Sequence, residues 1–144
     1  MASPAWLPWR RMLRILLLPV LALLLPALLL ALPVAAAPIK AEVSASTANG
    51  FARLIFRMAE EVEADVRLAN GILVISFKQQ LDVSGVDYIP TSAPGYINAA
   101  RRDPDGTAVR LALGRKVTVN TMAAGELLFV DLLPEGWTGL PPWY

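Results

Sequence analysis

Two Asn-Gly steps, Asn49-Gly50 and Asn70-Gly71, each stand between runs in which apolar residues recur at every second position. Both residues tolerate positive φ, so Asn-Gly between two extended runs predicts a tight β-hairpin. Before the first step, residues 39–45 alternate; after it, Leu54, Phe56 and Met58 share one face. Before the second, Val62, Ala64, Val66 and Leu68 alternate with Glu63, Asp65 and Arg67; after it, Ile72–Phe77 is the returning strand. Helix propensity alone would let "AEEVEADV" pass as a helix. Its period of two, and the turn that follows, favour a strand.

The pattern resumes after a stretch rich in Ser, Gly and Pro (residues 79–95), read as a connection. "YINAARR" is a candidate strand, with a helical turn at Ala99-Ala100 as the alternative. "DPDG", residues 103–106, is a turn with Pro preset at one central position and Gly at the difficult one. Val109, Leu111 and Leu113 mark the next strand, and Val117 and Val119 another. Ala124-Gly125 then turns the chain into residues 126–133. Shifted by about 55 positions, Ile72–Phe77 falls on Leu127–Leu132. The expectation is an all-β fold: an antiparallel β-sandwich of two duplicated units, stacked by their apolar faces over residues 38–133.

The 56 % hydrophobic content is concentrated at one end. Residues 1–14 carry Arg10, Arg11 and Arg14 and no acid, and residues 15–37 carry no charge. A basic start, an apolar core and Ala35-Ala36-Ala37 form the pattern of a secretory signal, with a cut after Ala36 preferred to one before Pro38. The alternative is a retained membrane anchor, since about 20 apolar residues suffice to cross a bilayer. Either way an N-terminal apolar helix (1–37) is expected, and residues 38 onward lie outside the cytoplasm. That part holds ten basic and twelve acidic residues, so its charge gives no support to a nucleic-acid partner. Residues 134–144, rich in Pro, Gly and Trp, read as a tail or linker. Pro134 ends the last strand, Trp137 folds back over the rim of the sandwich, and Leu140–Tyr144 lead away as a stiff spacer. The final Pro-Pro-Trp-Tyr fits a WW-domain ligand pattern, a mode of recognition foreign to an exported chain.

The chain has no Cys and no His. Zinc sites of the usual kind and His-dependent nucleophilic triads are excluded, and no cofactor or metal site is expected. A small exported domain without disulfides fits a bacterial periplasm better than a eukaryotic secreted setting. Glu60, Glu61, Glu63 and Asp65 are read as a solvated face rather than a cation site. Arg101 and Arg102, with Tyr96 and Arg110 near them, are the candidate binding residues: guanidinium groups suit the carboxylates of anionic polymers. Tyr96 and Trp137, like Tyr88, can stack on sugar rings or cover the sandwich ends.

"GFARLIFRMAEEVEADVRLANGILVISF" followed by "DGTAVRLALGRKVTVNTMAAGELLFVDLLP" resembles the AMIN type of periplasmic β-domain, with Leu127–Leu132 around Asp131 as the closest match. "DLLPEGWTGLPP" is similar to the N-terminal region of large exported tetratricopeptide-repeat proteins of alphaproteobacteria. The resemblance covers about residues 40–142 and implies a non-enzymatic envelope module that binds peptidoglycan or another cell-wall polymer. An assembly or scaffold domain, whose edge strands pair with another envelope protein, is the alternative. So is the N-terminal part of a longer repeat protein. A hydrolase working with carboxylates alone is the least supported.

Overall fold

The computed structural model describes residues 36–142. The expected leader helix, and Trp143 and Tyr144, lie outside the described residues. Among the described residues nine strands form two sheets: β1 Ile39–Ala48, β2 Phe51–Met58, β3 Ala64–Ala69, β4 Ile72–Phe77, β5 Leu81–Ser84, β6 Ile97–Arg102, β7 Ala108–Leu113, β8 Val117–Ala124 and β9 Leu127–Pro134. One sheet has the order β5-β1-β2-β9-β8 and the other β3-β4-β7-β6. Every ladder is antiparallel except β1 with β5, which is parallel.

Both Asn-Gly steps are hairpin turns. Asn49 and Gly50 take φ 56° and 85°, and Asn70 and Gly71 take 53° and 75°. This backbone twist matches that of the flanking strands. Alternation then sorts the side chains. Ala52, Leu54, Phe56 and Met58 of β2 enter the core, as do Leu73, Ile75 and Phe77 of β4 and Leu128, Val130 and Leu132 of β9. The two sheets meet there, with Phe56 edge-on to Phe77 at a centroid distance of 5.4 Å. Burying each such ring removes apolar area worth about 1.5–3 kcal/mol.

Three sequence expectations need correction. Each half of the chain was expected to form its own layer. Instead the segment 59–63 carries the chain across, so β1–β2 and β3–β4 lie in different sheets. Pairing between the halves, β2 with β9 and β4 with β7, then completes each sheet. A lone hairpin buries too little surface to be stable, and cross-pairing widens both layers at once.

The stretch 79–95 is also more than a connection. It supplies β5, a 3₁₀ turn at Val86–Tyr88 and a single helical turn at Ile89–Ser92. Leu81, Val83, Val86, Ile89 and Ala93 from it are buried in the core. Finally, the tail does not lead away within the described residues. Pro141 is buried, and the Pro142 carbonyl accepts a hydrogen bond from Arg53 Nη2 at 3.1 Å.

Candidate functional site

Consecutive strand residues point to opposite faces. Across the four-stranded sheet, ladder registers therefore fix the outer face row by row. One row runs Arg67, Val74, Arg110, Arg101, and the next runs Ala69, Ile72, Ala112, Ala99. Arg101 and Arg110 are directly opposed. Two like charges so placed repel unless an acid intervenes.

Asp103 is that acid. It accepts from Arg110 Nε at 2.8 Å and Nη2 at 3.1 Å. These hydrogen bonds, and the carboxylate charge behind them, raise the Arg110 pKa above its ordinary value. The "DPDG" turn holds Asp103 in place. Asp105 accepts from the Thr107 backbone N–H at 3.0 Å and its hydroxyl at 2.8 Å, which lowers the Asp105 pKa. Arg101 is exposed, and among the described residues no hydrogen bond or ion pair engages its side chain. Beside it lies a groove of about 440 Å³ floored by Ile72, Ala99 and Ala112. A free guanidinium over a shallow apolar floor suits a carboxylate attached to an apolar or sugar-like body.

The other expected site residues are placed elsewhere. Arg102 faces away from Arg101. It donates from Nη1 to the Val83 carbonyl at 2.9 Å, tying β6 to β5 across the open side of the sheets, with Asp82 at 3.6 Å. Tyr96 is buried and donates its hydroxyl to the Gly50 carbonyl at 3.1 Å, while the Arg115 guanidinium lies 4.2 Å from its ring centre. Its ring face is thus occupied. Tyr96→Phe is expected to lower stability by about 1 kcal/mol, because the Gly50 carbonyl loses its donor. Urea denaturation checks this; an unchanged midpoint would show that water replaces the hydroxyl. The acidic cluster does not gather: among the described residues no three acids come close enough to hold a cation.

Trp137 belongs to the outer face of the other sheet. It packs edge-on against Phe51 at 5.4 Å, beside the β1–β2 turn. Its indole N–H is buried without an acceptor among the described residues. Next to it, Arg53 and Asp131 face each other across β2 and β9. They form a buried two-point ion pair of 2.6 Å and 2.9 Å. The Arg53 guanidinium lies 5.2 Å from the Phe51 ring centre and 5.5 Å from that of Phe129. A smaller groove, about 190 Å³, separates Leu140 and Pro141 of the tail from Asn120 and Met122 of β8. Sequence reading noted Asp131 only as part of a motif and did not single out Arg53. The available signal was a lone acid, Asp131, in the otherwise apolar β9, and opposite charge in β2, where Arg53 and Arg57 interrupt an apolar run.

No model of a known protein family matches the chain. No curated protein matches its sequence.

Proposed function

We propose that this chain is a non-enzymatic, exported cell-envelope module of the AMIN-like kind, and that it binds a carboxylate-bearing envelope polymer such as peptidoglycan. The outer face of the four-stranded sheet is the binding surface. The observation that carries this reading is the unpaired Arg101 guanidinium beside an apolar groove, with Arg110 already neutralised by Asp103. The export pattern of residues 1–37 supports the compartment.

Duplication, followed by exchange of hairpins between the halves, accounts for the two faces. Match β1, β2, β8 and β9 with β6, β7, β3 and β4. The order β1-β2-β9-β8 then becomes β6-β7-β4-β3, which is the other sheet. The register supports the same shift: Leu54↔Val130 and Phe56↔Leu128 correspond to Val109↔Ile75 and Leu111↔Leu73. Arg53↔Asp131 corresponds to Ala108↔Ser76. One outer face thus acquired a buried ion pair beneath the tail. Its counterpart kept small residues there, and no described tail residue lines its groove, leaving that surface for a ligand.

The test is retention on isolated cell-wall material. Arg101→Ala is expected to weaken retention by roughly ten- to a hundredfold, the loss of one charge-assisted hydrogen-bonding group. Arg102→Ala is expected to leave it unchanged, since that side chain is committed to Val83. A parent chain that is not retained removes the proposal.

A further inference from the structure

The geometry points to β8 as a self-pairing edge, through which two copies of this chain join their five-stranded sheets into one continuous sheet. This does not rest on polymer binding, and the surface is a different one. Among the described residues four strands lie at sheet edges: β5, β8, β3 and β6. An open edge presents a row of unpaired N–H and C=O groups, and proteins that stay apart blunt such edges with charge, brevity or irregularity. Three of the four are blunted. Strand β5 has only 4 residues. Strand β3 carries Asp65 and Arg67. Strand β6 carries Arg101 and Arg102, and its register shifts between Ile97 and Ala99.

Strand β8, "VTVNTMAA", has none of these defences. It runs for 8 residues without a charge or a proline. Thr118, Thr121, Ala123 and Ala124 are exposed along it. The charges flank it instead: Lys116 precedes the strand and Glu126 follows it, both exposed and without an ion pair among the described residues.

That arrangement selects a second copy as the occupant. Antiparallel pairing about a two-fold axis at Thr121 sets Asn120 opposite Met122 of the second copy, and Thr118 opposite Ala124. It also sets Lys116 level with Glu126, twice, once at each end of the interface. A two-fold interface must be complementary to itself, and a neutral strand with a base at one end and an acid at the other satisfies that condition. In this register both copies keep their cores on the same side of the joined sheet, because opposed residues of an antiparallel pair share a face.

The absence of cysteine makes the test direct, because a single introduced thiol can form a disulfide only with another copy. The exported chain is purified in mild detergent, so that either form of the leader stays in solution, and is then oxidised gently. Directly opposed residues have Cβ atoms about 4.5–5.5 Å apart, near the reach of a disulfide. Thr121→Cys is expected to yield several-fold more cross-linked dimer than Ala69→Cys on the β3 edge. In the Thr121→Cys background, Lys116→Glu and Glu126→Lys are each expected to lower that yield several-fold. Combining them restores it, because the charges are again complementary. Cross-linking no greater at Thr121 than at Ala69 overturns the proposal. So do charge reversals without effect, or a combined reversal that leaves the yield low. The measurement contains no polymer, so its failure and failure of wall retention are independent results.

Discussion

Asp131→Ala is expected to destabilise the domain by about 3–5 kcal/mol, because it removes the carboxylate that holds a buried guanidinium at two points. The side chains of Arg53 and Asp131 are only 5 % and 3 % exposed. At that depth the carboxylate charge offsets the cost of burying the guanidinium, and the Pro142 carbonyl, at 3.1 Å from Nη2, adds a dipole. Domains of this size are stable by about 5–15 kcal/mol, so the loss would claim about a fifth or more of the total. Urea unfolding at neutral pH measures it directly. Replacing both partners by apolar residues, Arg53→Met with Asp131→Leu, is expected to recover most of the loss, since no charge remains to be desolvated. The same double variant removes the donor to Pro142, so proteolysis within 134–142 should accelerate even as the core regains stability. A single variant within about 1 kcal/mol of the parent would show that water reaches Arg53 and that the tail does not seal this face.

What made the strands legible was that the side-chain period of two survives wherever one face is buried. Leu54 and Phe56, Leu73 and Ile75, and Val109 and Leu111 announced their strands and face the shared core. The same rule already separates Arg101 from Arg102: neighbours on a strand point apart, so the doublet could never act as one patch. Other features depend on contacts remote in sequence. Arg53 and Asp131 occupy outward positions that ordinarily meet water, and the return of the tail buries them, something alternation in β2 or β9 does not encode. Tyr96 precedes β6, and only the packing against Gly50 and Arg115 decides that its ring is covered. The placing of β1–β2 and β3–β4 in different sheets is not legible locally, because both layouts bury the same residues; a five-residue crossing and the pairing of distant strands distinguish them.

The second large effect lies where turn residues concealed a strand. Leu81 and Val83 alternate with Asp82 and Ser84, but four residues between a polar stretch and Gly85 are too few to stand out. Gly85 closes this strand at φ 90° and begins the 3₁₀ turn, with its carbonyl accepting from Tyr88 N at 3.2 Å. A Cβ there would lie 2.4 Å from the Val43 carbonyl oxygen, a backbone atom of the adjoining strand. Gly85→Ala therefore combines left-handed strain of about 1–2 kcal/mol with a backbone displacement of about 1–3 kcal/mol. The displacement falls on the parallel ladder in which Ala41 faces Val83 and Glu42 faces Ser84. Gly71→Ala separates the two contributions. Its φ is 75°, and nothing lies within 4 Å of the added carbon. It should lose only the strain, about 1–2 kcal/mol. If both variants unfold at the same urea concentration, Val43 yields freely and β5 is not pinned to β1. If Gly85→Ala is the weaker by a further 1–3 kcal/mol, the parallel edge is part of the cooperative core, held there by a close approach that no side chain larger than hydrogen permits.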